Sequence, residues 1–311
     1  MAINPAMRAA LKAISYMDPD IKKTYKISRK LSKLLATLYT SPQDYLIWDH
    51  QVKCQGHCVP VRIFSPPKPV GKALVFFHGG GWVTGDIDTY SRTCVDICSQ
   101  TGHTVIAVDY RLAPEHRFPV ALEECYSVLR EVYAGHFEGI APQDITIIGD
   151  SAGGNLAAAV SLMARDRGEF LPSKQILIYP ATSNDHSTHS TYLSVIENGT
   201  DYLLTSKRVR DYLDLYRSSM DDLKDPYFAP ILAEDLRNQP DTLMITAEFC
   251  PLRDEGEHYA KRLQESGNYV ELHRVKDALH GFFTLPPRFS HVSEVYSVIN
   301  RFLGKDDSIE A

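Results

Sequence analysis

Five runs of this chain are almost wholly apolar and too short for helices: ALVFFH (73–78), TVIAVD (104–109), ITIIG (145–149), QILIY (175–179) and TLMITA (242–247). Runs rich in β-branched and aromatic residues, without polar alternation, suit strands covered on both faces of a parallel sheet. Parallel neighbours cannot be joined by tight turns, and each pair needs a crossover of a dozen or more residues. The intervals supply such crossovers as amphipathic stretches, among them FPVALEECYSVLREVY (118–133) and NLAAAVSLMARDRG (155–168). YLIWDHQV (45–52) and CVPVRIFS (58–65) stand close enough for an antiparallel hairpin, and YVELHRV (269–275) closes the set. The expected architecture is α/β, with about eight mostly parallel strands and helices on both faces.

Two segments fall outside the alternation. Residues 1–45 read as helices that carry Leu31, Leu34, Leu35 and Leu38 along one face. Residues 182–222 interrupt the interval between two strands and contain another helical stretch. Both are read as parts of a helical cap over the carboxyl edge of the sheet. Residues 46–181 and 223–311 are then the two parts of the core. The basic run Lys22, Lys23, Lys26, Arg29, Lys30, Lys33 reads as a solvated helix face rather than a membrane-surface site. A formal charge of −6 argues against a nucleic-acid partner. No apolar run reaches the roughly eighteen residues of a membrane span. The opening MAINPAMRAALKAISYMDPD lacks the pattern of a signal peptide. Cys54/Cys58 and Cys94/Cys98 are spaced as Cys-x₃-Cys, but neither pair has the further ligands of a tetrahedral site, so no metal is expected. Unpaired thiols fit a cytoplasmic protein.

The chemistry concentrates in three places. In ITIIGDSAGGNLAAAV (145–160) a strand runs into Gly149-Asp150-Ser151-Ala152-Gly153 and then a helix. A Gly-x-Ser-x-Gly turn in that setting lifts a serine hydroxyl above the sheet, and the glycines clear a tight backbone. Upstream, ALVFFHGGGWVTGD (73–86) leaves its strand as His78-Gly79-Gly80-Gly81-Trp82. Side-chain-free residues there let backbone N–H groups approach a developing oxyanion, each typically contributing about 2–4 kcal/mol to its stabilisation. His280, in VKDALHGFF (275–283), follows the last core strand, where a general base can reach Ser151. YRLAPEHRFP (110–119) reads as structural: Pro114 and Pro119 bend the chain, and Arg111 and Glu115 tie it to the core.

Taken together, HGGGW, YRLAPEHRFPVALE, GDSAGGN, LIYP, PLRDEG and LHGF make the chain similar to the hormone-sensitive-lipase family of carboxylesterases, the bacterial family IV group of the α/β-hydrolase superfamily, from about residue 40 to 303. The resemblance implies Ser151 as nucleophile, His280 as base, and an oxyanion hole formed by the N–H groups of Gly80, Gly81 and Ala152. It also implies a helical cap, a short- to medium-chain acyl ester as substrate, no organic cofactor or metal, and a plausible homodimer. Plant gibberellin receptors resemble the same family and keep its pocket, so a small-ligand-binding protein is the alternative from another class. An amidase or deacetylase is a nearer one.

The chain departs from the family at the third triad position, where Asp-Pro-Leu-x-Asp becomes Cys250-Pro251-Leu252-Arg253-Asp254. A thiol is a weak acceptor, and with an ordinary pKa of about 8.5 it is mostly uncharged at neutral pH. In a serine protease, turning the acid into an amide costs roughly ten-thousand-fold. Reduced activity is therefore expected unless Asp254, Asp277, Asp185 or Glu248 substitutes, or a Cys250 thiolate pairs with the imidazolium.

Overall fold

The computed structural model describes residues 5–16, 19–38, 45–54, 56–137 and 139–304. The ends of the expected 1–45 segment, residues 1–4 and 39–44, lie outside them, as do 17 and 18. Two helices come first, α1 (Pro5–Tyr16) and α2 (Ile21–Ala36). The hairpin strands β1 (Leu46–Cys54) and β2 (His57–Ser65) follow and pair antiparallel. The alternation then unfolds as β3 (Ala73–Phe77), α3 (Ser91–Thr101), β4 (Thr104–Val108), α4 (Val120–Tyr133), β5 (Ile145–Asp150), α5 (Ala152–Arg167) and β6 (Lys174–Ile178). The 182–222 interval carries α6 (Leu193–Glu197) and α7 (Ser206–Tyr216). The chain closes with β7 (Asp241–Phe249), α8 (Arg253–Glu265), β8 (Val270–Leu279) and α9 (Ser290–Phe302).

The eight strands form one sheet in the order β1-β2-β4-β3-β5-β6-β7-β8, parallel from β4 onward. This is the α/β-hydrolase architecture expected from the sequence. In the middle of the sheet Val75 sits in register with Ile106 on one side and Ile147 on the other. Every residue of β3 and β5 is buried, as strands sandwiched between helix layers must be. One layer pairs α3 with α9, and another packs α4 on α5. α5 and α8 both approach Pro180, through Gly154 and Gly256. Among the described residues no helix is long and apolar enough to cross a membrane.

α2 lies against α7. Its basic run is not uniformly solvated, which corrects the expectation. The Lys22 ammonium lies 2.7 Å from Asp214 and 3.2 Å from Asp211. Arg29 donates to the carbonyls of Val83 and Ala113, each at 2.7 Å, and forks onto Glu115. Glu115 therefore holds α2 rather than the core. Arg111 pairs with buried Glu124 of α4. Lys23, Lys26, Lys30 and Lys33 are exposed.

Candidate active site

Parallel sheets place reactive groups at the carboxyl ends of their strands, and the groups singled out from the sequence meet there. β5 ends at Asp150, and Ser151 turns the chain into α5 at φ 55°, ψ −117°. A non-glycine residue at positive φ is strained and must be held by its surroundings. Here the Ser151 N–H donates to the Ile178 carbonyl at 2.9 Å, and the Ser151 carbonyl accepts from the Asn155 N–H at 3.0 Å. The flanking glycines are obligatory. A Cβ on Gly149 would fall 2.3 Å from the Gly153 carbonyl oxygen, and one on Gly153 would fall 1.9 Å from that of Phe77.

His280 leaves the end of β8, with its ring against Tyr179 at 4.7 Å between centroids. Its Nε2 lies 3.0 Å from Ser151 Oγ. Its Nδ1 lies 3.1 Å from the sulfur of Cys250, which follows β7. The Leu252 N–H donates to that same sulfur at 3.3 Å. Burial pushes the Cys250 thiol well above its ordinary range, only partly offset by the Leu252 N–H. Burial also lowers the His280 imidazole to about 3. Both partners are thus neutral near pH 7, which runs against a thiolate–imidazolium pair.

Three of the four carboxylates considered as substitutes, Asp254, Glu248 and Asp185, have other partners, and Asp277 takes part through its backbone N–H. Asp254 accepts from the Ser194 N–H at 2.7 Å and from Arg253 at 2.8 Å. Against the upward push of burial, these bonds keep its carboxyl below the usual range. Glu248 accepts from the Asp277 N–H at 2.7 Å, at the point where the β7–β8 register shifts and Asp277 itself sits at φ 57°. Asp185 accepts from the Ser187 N–H at 2.9 Å. Among the described residues, none donates to or accepts from His280.

Gly80 and Gly81 stand opposite the elbow at φ 115° and 64°. Thr84 and Val83 fold back onto the Gly80 carbonyl and shape that loop. Gly80, Gly81, Ser151, Ala152 and His280 line one cavity of about 230 Å³, which Leu204, Val209, Tyr212 and Leu252 enclose. Ala152 opens α5, where backbone N–H groups lack intrahelical partners.

The elbow holds one further group of the site. Asp150 is buried, accepts from the Gly79 N–H at 2.8 Å and from the Tyr90 hydroxyl at 3.1 Å, and lines the same cavity. Burial, outweighing those two bonds, lifts its carboxyl to about 7. It tethers the glycine loop to the residue next to the serine. The tight fit at Gly79, where a Cβ would meet Asp150 Oδ2 at 2.6 Å, explains a glycine there. In the sequence Asp150 is one residue between Gly149 and Ser151, and no local pattern marks the tether.

A profile of the alpha/beta hydrolase fold matches residues 74–284. The chain is 38 % identical over 293 residues to an arylesterase of Saccharolobus solfataricus, covering 92 % of this chain and 94 % of that one. It is 40 % identical over 267 residues to the carboxylic ester hydrolase LipN of Mycobacterium tuberculosis, covering 83 % and 70 %. Among solved structures, a hyperthermophilic esterase of Pyrobaculum calidifontis superposes with a TM-score of 0.86 at 35 % identity, over 98 % of this chain and 99 % of its own.

Proposed function

We propose a serine mechanism for this chain, which belongs to the hormone-sensitive-lipase family of α/β-hydrolase carboxylesterases. The observation that carries the proposal is the 3.0 Å contact between His280 Nε2 and Ser151 Oγ, made inside the cavity that Gly80, Gly81 and Ala152 line. Ser151 Oγ attacks the ester carbonyl carbon while His280 Nε2 takes its proton. The carbonyl oxygen gains the negative charge and is received by the N–H groups of Gly80, Gly81 and Ala152. The carbonyl reforms, the C–O bond to the alcohol breaks, and the alcohol leaves with the proton from His280. Water then repeats the sequence on the acyl-enzyme, giving up a proton to His280, which returns it to Ser151 as the acid departs.

Cys250 contacts the imidazole without charging it, so the reading includes a slowed proton step. The cavity, at about 230 Å³, lies below the roughly 300–1,000 Å³ of sites for drug-sized ligands. Leu204, Val209 and Tyr212, from the 182–222 interval, help enclose it. That supports a short acyl group beneath a cap built from this interval and the N-terminal helices. A pocket serving only to bind has no use for a serine strained to φ 55° beneath an imidazole.

The test is hydrolysis of p-nitrophenyl acetate and butyrate by the wild type and Ser151→Ala. Turnover should vanish in the variant while the fold, followed by circular dichroism, stays intact. Turnover surviving the substitution would refute the serine mechanism.

A further inference from the structure

α2 turns its leucines away from the protein. Ile27, Leu31, Leu34 and Leu35, with Leu38 in the turn that follows, are 67 %, 56 %, 65 %, 58 % and 79 % exposed, although their spacing puts them on one stripe. Polar contacts hold the opposite face down: Lys22 to Asp214, and Arg29 to Val83, Ala113 and Glu115. Only Ile21 and Tyr25 of α2 pack into the core, so the helix forgoes most of the apolar burial that ordinarily docks a helix. A contiguous outward apolar patch of this kind marks an interaction surface.

Two features say what covers it. Exposed Lys26 and Lys30, with Lys23 beside Asp20 at 3.7 Å, run along one flank of the stripe on a chain of formal charge −6. The stripe also continues into a groove of about 570 Å³ lined by Ser32, Leu35, Leu38, Tyr90 and Thr284. Tyr90 and Thr284 line the Ser151 cavity as well, so the groove and the cavity share a wall.

We propose that α2 docks this protein on the surface of an anionic phospholipid bilayer. The leucines enter the boundary between headgroups and acyl chains, and the lysines lie against lipid phosphates. Esters dissolved in that layer then reach Ser151 along the groove. This delivery step rests on the esterase reading above, whereas the docking does not.

The experiment is co-sedimentation of the full chain with vesicles of pure phosphatidylcholine and of phosphatidylcholine mixed with phosphatidylglycerol, at about 0.1 M salt. Wild type and Ser151→Ala should both pellet with the anionic vesicles and stay in solution with the neutral ones. Because Ser151→Ala cannot turn over ester, its binding separates a failure of docking from a failure of the catalytic reading. Leu31→Asp/Leu34→Asp should cut binding at least about tenfold by removing the inserted surface. Lys26→Glu/Lys30→Glu should cut it more than about twentyfold, at roughly fivefold for each lysine near an anionic surface. Both double variants should hydrolyse water-soluble p-nitrophenyl acetate at the wild-type rate. Absence of binding to anionic vesicles overturns the proposal, as does binding unchanged in the leucine variant. A dimer that Leu31→Asp/Leu34→Asp converts to monomer, with no vesicle binding, assigns the stripe to self-association and overturns it too.

Discussion

The sulfur beside His280 can serve the imidazole in two ways, and only one of them helps catalysis. It can accept from Nδ1–H across the 3.1 Å contact, leaving the Nε2 lone pair to face Ser151 Oγ. Alternatively, the S–H donates to Nδ1, the ring proton moves to Nε2, and the base is blocked. A carboxylate accepts only, so Cys250→Asp removes the unproductive arrangement. It also places a negative charge about 4 Å from the imidazolium that forms during attack. At an effective dielectric of about 20 that is worth about 4 kcal/mol. The desolvation that raises the Cys250 thiol takes part of it back from a buried carboxylate. The Leu252 N–H, now 3.3 Å from the sulfur, remains as a donor to the new anion. A net gain of about 1.4–4 kcal/mol is a ten- to thousand-fold rise in kcat/KM.

Initial rates on p-nitrophenyl butyrate at about pH 7.5 measure it, with Cys250→Ala as the control for simple removal of the sulfur. The same substitution should move the acid limb of the pH–rate profile. An adjacent anion favours the protonated imidazole and raises its pKa from the present value of about 3. The limb of kcat/KM therefore shifts to higher pH in Cys250→Asp. An unchanged rate together with an unshifted limb would mean that something else already orients His280. Alanine substitutions at Asp254, Asp277 and Asp185 would then have to reveal it.

Two further outcomes follow from the cavity walls. Gly80→Ala should lower kcat on the same ester by about a hundredfold or more, because its Cβ would meet the Thr84 carbonyl oxygen at 2.1 Å and the residue sits at φ 115°; a wild-type kcat would exclude Gly80 from the oxyanion hole. Asp150→Asn should flatten the pH dependence of Tm between about pH 4 and 7, since a carboxyl raised to about 7 in the fold stabilises it fully below the ordinary value of about 3.9 and loses that contribution as pH climbs through 7; parallel Tm curves for the two proteins would refute this.

The strand runs were legible because burial on both faces leaves no polar positions, and β3, β5 and β6 begin within a residue or two of where their apolar runs begin. The elbow was legible for a harder reason: Gly149 and Gly153 sit where a methyl group would collide with backbone, so the sequence must record the geometry. Orientation was not legible. Periodicity places Leu31, Leu34 and Leu35 of α2, with Leu38 in the turn after it, on one face, but it does not say whether that face turns inward. The ion pairs from Lys22 and Arg29 decide that, and their partners lie more than 50 residues away. Glu115 was assigned to the core for the same reason, since its partner Arg29 belongs to a helix 86 residues upstream. Asp150 left no sign because its role is a tether to Gly79, which only the fold brings near.

A carboxylate at the third corner of a serine triad does two jobs at once: it selects the imidazole tautomer and it supports the charge that the imidazole acquires. In this chain the jobs separate. Cys250 keeps the contact, and with the Leu252 N–H directed at the sulfur one of its acceptor sites is already in use. It withholds the charge, because burial keeps the thiol protonated. Under the proposed serine mechanism the imidazole meets the proton of Ser151 as a weak base, and a slow step is the expected outcome. Burial, with no adjacent anion to oppose it, leaves the ring unprotonated down to about pH 3. A triad whose carboxylate holds the imidazole near 7 would have only about 1 % of its base free at pH 5. The advantage of a carboxylate is thus largest near neutrality and shrinks about tenfold with each unit of acidity below the raised pKa. A slow base that stays available in acid is what a neutral third corner yields.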